Sequence, residues 1–365
     1  MKRIIVSVTN DLVTDQRVHK SCTTLFNNGF DILLIGRKLK NSKQLTRSYK
    51  TKRIKLYFNK GFLFYAEYNI RLFLKLLFTK KDILLANDLD TLLPNYLISK
   101  LFSKNLVYDS HELFTEVPEL INRPFKQNIW KFFESSILPR LNNQYTVCDS
   151  IATYYNTKYK TNFYTIRNFP LRDSKQDSTN FPFEINSCKI ILYQGALNLG
   201  RGIELIIKTM LFLNNTILVI IGNGDIEKEL IQKVINLNLE NKVKFINKLN
   251  PAELKKITPL ADLGISFEED LGLNYRYALP NKLFDYIQAK VPVLVSDLPE
   301  MKNIVSKYKV GEVITDRTPK ELASQINKIL ENGKDYYNTN LEIASKELIW
   351  EKESKKLIEI FKNLN

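Results

Sequence analysis

Pro280, Asn281, Lys282 and Asp285 fall within the stretch LGLNYRYALPNKLFDYIQAKVPVLVSDLPEM, residues 271–301. A proline fixes φ and has no N–H to satisfy, so it suits the first turn of a helix, which is expected to begin near Asn281. The free N–H groups and positive end of that helix face whatever precedes Leu279, and Lys282 adds a full charge on the first turn. An anion is the ligand such an arrangement attracts. Asp285 lies on a neighbouring face of the same turn, where a carboxylate suits ribose hydroxyls. The following VPVLVSD reads as a parallel strand buried on both faces. Turn, helix and strand in that order point to a nucleotide site.

Other candidate groups also follow apolar, strand-like runs. In YQGALNLGRG, Gly195 lets the backbone approach a ligand and Arg201 offers a fork suited to phosphate oxygens. In VYDSHE, His111 stands just past a buried strand, at the edge where open α/β sheets bind ligands, with Glu112 and Glu116 behind it. The first loop, TNDLVTDQRVHK, places Asp15 to cap a helix and Arg17 to aim at a ligand or into solvent. Asp88-Leu-Asp90 mimics a metal-binding pair but reads more simply as a helix cap.

The elements that must position these groups alternate. Strands are expected at 3–9, 31–36, 52–57, 83–86, 106–109 and 144–148, then at 189–194, 217–221, 243–245, 263–267, 292–296 and 312–314. Helices at 15–28, 62–79, 90–103 and 124–140 separate the first set, and the pattern implies parallel sheets. At 365 residues the chain exceeds one ordinary domain. Polar residues 171–188 are the expected linker between domains at 1–170 and 189–340, and a Glu- and Lys-rich helix is expected from about 341 to 363.

The 271–301 segment resembles the C-terminal signature of family-4 retaining glycosyltransferases, in the branch reading P-N-K-L-F-[ED]-Y. RIIVSVTNDLVTDQRVHK, VYDSHELFTEVPEL (107–120) and YQGALNLGRGIELIIKTM (193–210) sit where such enzymes place cleft elements. The resemblance implies an α/β GT-B architecture: two doubly wound, Rossmann-like domains facing across a nucleotide-sugar cleft, with residues 341–365 packing back on the first. It implies a donor site of Gly195, Arg201, Gly222, Asn223, Gly224, Leu279, Pro280, Asn281, Lys282 and Asp285, catalytic roles for His111, Arg201 and Lys282, and acceptor contacts from Asp15, Arg17, Glu112 and Glu116. The donor substrate is a nucleoside-diphosphate sugar, with no further cofactor and no metal, and the acceptor is a glycan or lipid-linked hydroxyl. The chain departs from the pattern at three places. Tyr277 stands where many members carry a first glutamate, Asp285 replaces the second, and Lys290 occupies a usual glycine position. Either Glu268, Glu269 or Asp270 fills the missing role, or backbone N–H groups of 278–282 bind the phosphates unaided; the backbone is the preferred expectation.

Charge is unevenly spread. The formal net charge is +15, and residues 1–170 carry 27 Lys and Arg against 13 Asp and Glu, leaving 171–365 nearly neutral. Between 36 and 81, 14 basic residues face Glu67 alone and interleave with Tyr49, Tyr57, Phe58, Phe62 and Phe64. That composition suits an anionic membrane surface, each basic group contributing about 1 kcal/mol near an acidic leaflet. Glu67, Arg71 and Lys75 interrupt the apolar run at 62–78 at four-residue spacing, which marks an amphipathic helix and not a span. Three distant cysteines and no signal-like apolar run point to the cytoplasm, at the inner membrane face. Two other classes share these features: a GT-B-like sugar-nucleotide epimerase or phosphorylase, and a basic polyanion-binding protein with a degenerate cleft. No nucleic-acid partner is expected.

Overall fold

The computed structural model describes residues 1–13, 15–172 and 179–364. The chain divides into two compact units, Met1–Asn168 with Glu351–Asn365, and Phe169–Trp350. Residues 173–178 of the expected linker lie outside the described residues, but Phe169 and Phe181 on either side of them belong to the second unit's core.

The first unit is built on seven strands: β1 (Arg3–Ser7), β2 (Asp31–Lys38), β3 (Lys50–Lys55), β4 (Ile83–Asn87), β5 (Asn105–Ser110), β6 (Asn143–Thr146) and β7 (Phe163–Thr165). They pair in parallel in the order β3-β2-β1-β4-β5-β6-β7. Central β4, ILLAN, is buried throughout, as a strand with helices on both faces must be. Edge strand β3, KTKRIK, exposes lysines that keep a free edge from pairing with another chain.

The second unit repeats the plan with β8 (Lys189–Gln194), β9 (Thr216–Ile221), β10 (Val243–Ile246), β11 (Leu263–Ser266), β12 (Val293–Val295) and β13 (Gly311–Val313). Their order is β10-β9-β8-β11-β12-β13, again parallel. Strand order reverses between β1 and β4 in one sheet and between β8 and β11 in the other. Helices leave these neighbours toward opposite faces, which opens a crevice at their carboxyl ends.

The expected α/β class with two Rossmann-like parallel sheets is therefore present. Strand β7 escaped sequence reading because three residues, FYT, carry no periodicity; pairing with β6 makes them a strand. The expected last helix falls on two elements: the end of the helical run Pro319–Glu347, which is itself broken at Gly333 (φ +71), and the helix Trp350–Lys362. Leu348 leaves helical geometry at φ −89 and ψ 65, so the chain turns there, and Leu348, Ile349 and Trp350 are all buried at the turn. Trp350 N donates to Pro170 O at 2.7 Å within the second unit. Glu353 in the first unit accepts from Arg167 N at 3.0 Å.

The helix Asn281–Gln288 starts after Pro280 as its sequence dictates. Tyr286 docks it: the ring lies where a Cβ on Gly264 would come within 2.4 Å, and the hydroxyl accepts from Gln194 N at 3.1 Å and donates to Leu192 O at 3.0 Å. Lys290, where a glycine is usual, takes φ +59 and compensates by donating to Leu341 O at 3.2 Å and to Ser345 Oγ. Tyr286→Phe leaves two buried backbone groups short of a partner, so urea unfolding should show a loss of roughly 1–3 kcal/mol; an unchanged midpoint would show that the hydroxyl carries none of the docking.

Candidate functional site

In the second unit the crevice between β8 and β11 is occupied by charge. Gly195, which follows β8, adopts φ +143, and a Cβ on Gly222 after β9 would stand 1.9 Å from Gly195 O. The two strand ends therefore lie backbone to backbone. A Cβ on Gly202 would meet Phe267 O at 2.2 Å, so the loop carrying Arg201 is pressed onto the end of β11.

Glu268, two residues past β11, is fully buried. Its Oε1 lies 2.9 Å from Lys282 Nζ and 3.6 Å from Arg201 NH1, and its Oε2 accepts from Ser266 Oγ at 2.7 Å. Lys282 also sits 4.1 Å from the centre of the Tyr193 ring. Burial alone would raise the Glu268 carboxyl, but Lys282, Ser266 and Arg201 together hold it below the usual carboxylate range. Burial pulls Lys282 below its ordinary value, and Glu268 is the main group opposing that fall. Besides Glu268, Lys282 Nζ meets no acceptor among the described residues, so the buried ammonium keeps N–H donors unspent. Two cations against one carboxylate leave a net positive pole, suited to a diphosphate.

Asp285 is braced beside this pole. Gln194 Nε2 donates to it at 3.1 Å while Gln194 Oε1 accepts from Thr258 Oγ at 2.9 Å. Leu279 and Pro280 are half-buried and Asn281 is exposed at the helix start. Asn223 is exposed, and its carbonyl accepts from Leu197 N at 3.1 Å, so the Gly222–Gly224 turn is locked to the loop after β8.

The first unit's crevice carries the opposite mixture. His111 N donates to Asp88 Oδ1 at 2.7 Å; its ring Nδ1 lies 3.3 Å from Asp88 Oδ2 and its Nε2 3.2 Å from Asp109 Oδ2. Burial disfavours the imidazolium, but the two carboxylates outweigh it and push His111 up to about 9. At neutral pH the ring is a cation whose two N–H groups face carboxylates, and no lone pair remains to accept a proton. Asp88 stands at φ +58, in the left-handed region a non-glycine residue occupies at a cost.

Two expectations are corrected here. Asp88 does not cap the following helix with its side chain; it holds His111 instead. Arg17 is not aimed at a ligand. It is buried, with Nε and NH2 on Asp109 at 3.0 and 2.7 Å and NH1 on Ile166 O at 2.9 Å. Glu268, one of the three acids expected to fill the missing role, stands against both cations. Its signal was its place two residues beyond a buried strand at the sheet's switch point. Asp15 does cap, accepting from Val18 N at 3.0 Å. Glu116 pairs with Lys131 at 3.1 Å, and the Glu112 carbonyl accepts from Ser110 Oγ at 2.8 Å.

This pairing of parallel α/β units is the GT-B fold. Over 99% of its length the chain superposes on 98% of the sucrose-phosphate synthase of Thermosynechococcus elongatus, with a TM-score of 0.82 and 14% identity. It also superposes, end to end in both chains, on Anabaena HepE in complex with UDP-glucose, with a TM-score of 0.74 and 14% identity. A third likeness is WaaG, a glycosyltransferase involved in lipopolysaccharide biosynthesis: TM-score 0.69, 14% identity, 98% of this chain and 99% of that one. Residues 176–347 match the family model of glycosyl transferases group 1, so the second unit carries a domain of that family. An uncharacterized glycosyltransferase of Methanocaldococcus jannaschii is 26% identical over 208 residues, 53% of this chain; the match spans half the length of that relative.

The chain has only two histidines, so their titration is easily read. NMR should find His111 changing charge near pH 9 and His19, lowered by burial and Arg47, below the ordinary 6.5. The stability His111 contributes is complete below pH 6.5 and is lost as pH rises through 9; a His111 midpoint near 6.5 would contradict the carboxylate clamp. Glu268→Gln strands two cations and should cost about 3–5 kcal/mol of unfolding free energy, whereas Glu268→Gln with Lys282→Met should recover part of it. Additive losses in that cycle would mean the two side chains are not coupled.

Proposed function

We propose that this protein is a retaining glycosyltransferase of the family-4, PNKLF[ED]Y branch, moving a sugar from a nucleoside-diphosphate sugar to a hydroxyl of a lipid-linked or polysaccharide acceptor. The observation that carries the reading is the cluster of buried Glu268 and Lys282 with half-buried Arg201 at the β8/β11 switch point, with the helix that starts at Asn281 beside it. The first unit holds the acceptor, with Glu112 and Glu116 in the loop after His111 supplying polar contacts. A UDP-linked donor is the first candidate, since a protein of this fold holds UDP-glucose.

In this reading the acceptor oxygen bonds to the anomeric carbon as the bond from that carbon to the β-phosphate oxygen breaks on the same face. The acceptor's proton passes to the departing phosphate oxygen, so no separate base is needed. Lys282, Arg201 and the helix N-terminus neutralise the charge that develops on the diphosphate, and this electrostatic preorganisation is commonly the largest catalytic contribution. These cations take the place of a divalent metal. Asp285, braced by Gln194, receives ribose hydroxyls. His111, fixed as an imidazolium, acts through its charge and position on the transferred sugar and not by moving a proton.

The same proposal places the protein in the cytoplasm, peripheral to the inner face of the membrane, through residues 36–81. Lys52 stands beside Lys75 and, by side-chain contact, pulls it below its ordinary value. Two neighbouring ammonium groups favour a lipid phosphate between them. No helix among the described residues is long and apolar enough to cross a membrane.

Thermal shift with UDP-, GDP-, ADP- and CMP-sugars tests the donor site, because a ligand bound only to the folded state adds about 2.7 kcal/mol at a hundredfold excess over Kd. One nucleotide class should raise the melting temperature of the wild type and leave Arg201→Ala with Lys282→Ala unmoved. An equal shift in the double variant would remove the cluster from donor binding.

A further inference from the structure

The helix Pro124–Ile137 has two faces with different partners. Its inner face is spoken for. Gln127 Nε2 donates to Thr115 O at 2.8 Å, Trp130 packs edge-on against Phe114 at 5.0 Å and Tyr65 at 5.2 Å, and Lys131 meets Glu116 at 3.1 Å. Buried Glu134 accepts from Thr115 Oγ at 3.4 Å and from the Tyr159 hydroxyl at 2.5 Å. These positions, i, i+3, i+4 and i+7, bind the helix to the turn that follows His111.

The opposite face is Phe125, Ile129 and Phe132, at i, i+4 and i+7. Phe125 is 78% exposed and Phe132 64%. A helix packed on a domain turns its apolar stripe inward; this one does so with Trp130, Phe133 and Ile137, and yet leaves two further phenylalanines outward. From Leu120 to Phe133 there is no acidic residue, and Arg123 and Lys126 accompany the outward aromatics. The first unit carries the whole charge excess, 31 Lys and Arg against 16 Asp and Glu, while the second balances at 23 each.

We propose that the outward face of helix Pro124–Ile137 seats in the headgroup–acyl boundary of a bilayer containing acidic phospholipid, so that the acceptor loop after His111 is held at the membrane. The inference rests on the membrane part of the proposed function and adds a second contact, apolar and separate from residues 36–81. Size decides against a protein partner: two phenylalanines and an isoleucine offer roughly 500 Å², well under the ~800 Å² per partner of a stable protein interface. A bilayer needs less. Each phenylalanine buried in acyl chains contributes about 1.5–3 kcal/mol, and each flanking cation about 1 kcal/mol on an acidic leaflet. The acceptor loop lies on the far side of this helix, about one helix diameter, ~10 Å, from the lipid. A lipid-linked acceptor would therefore reach it without leaving the bilayer.

The test is co-sedimentation of the full chain with vesicles of phosphatidylglycerol and phosphatidylcholine, and of phosphatidylcholine alone, for the wild type, Phe125→Asp with Phe132→Asp, and Lys52→Glu with Lys75→Glu. Binding to the acidic vesicles should fall at least tenfold in the phenylalanine variant, with its melting temperature and its shift by the donor nucleotide unchanged. In a background of Trp130→Phe with Trp350→Phe, brominated acyl chains should quench the indole introduced by Phe125→Trp. If the phenylalanine variant binds like the wild type, or that indole is not quenched, while the lysine variant loses binding, the inference fails and the membrane reading of residues 36–81 stands. Wild-type protein that binds neither vesicle overturns both, and leaves the donor-site reading to its own thermal-shift test.

Discussion

Every strand among the described residues pairs in parallel, and the rest of the structure depends on that. Parallel neighbours need a crossover of a dozen or more residues, supplied here mostly by helices, so both faces of each sheet are covered and both are apolar. Polar chemistry is then confined to the strand ends. At the carboxyl ends, where strand order reverses beside β1 and β8, the departing helices diverge and leave room for it. His111 and Glu268 are thus consequences of topology as much as of their own side chains. Each stands within two residues of the end of a buried strand.

The two edges solve the cost of buried charge in opposite ways. Around Glu268 one carboxylate serves two cations, so the balance is positive and an incoming anion completes it. Around His111, Asp88 and Asp109 serve an imidazolium and the Arg17 guanidinium, so the cluster is internally balanced. An unpaired buried ion costs several kcal/mol, which is why neither cluster contains one without a counter-charge. The first edge is built to receive charge; the second is built to hold a shape. That difference is what the proposed donor site in the second unit draws on, and in the first unit Arg17 and Asp109 fix the surroundings of His111.

Charge on the surface follows the same division of labour. The second unit is neutral overall and concentrates its positive potential inside one crevice, whereas the first unit spreads a net +15 over its exterior. A diffuse positive surface acts on extended anionic surfaces within a Debye length of roughly 10 Å, and it does little for a single small ligand. Exposed Tyr57, Phe62 and Phe78 within the basic segment, and Phe125 and Phe132 beyond it, give that field apolar contacts to anchor.

What the sequence by itself determined is local. The alternation of apolar runs with amphipathic segments yields two parallel sheets, Pro280 sets the start of the helix carrying Lys282, and Asp15 caps its helix, because propensity, periodicity and capping act over a few residues. Gly195, Arg201 and Lys282 were legible for the same reason: each stands past a strand or at the start of a helix that the pattern marks. The tertiary structure alone decided which charges meet. Arg17 and Asp109 are 92 positions apart and Asp88 and His111 are 23 apart. No local rule distinguishes an arginine that will face ligand from one that will clamp a buried aspartate. Glu268, one of three adjacent acidic residues, became the partner of Lys282 only when β11 delivered it to the edge beside the Asn281 helix. Strand β7 and the break at Leu348–Ile349 were likewise settled by pairing and burial. Electrostatic and packing partners are chosen across the fold, and a chain read in one dimension does not contain those distances.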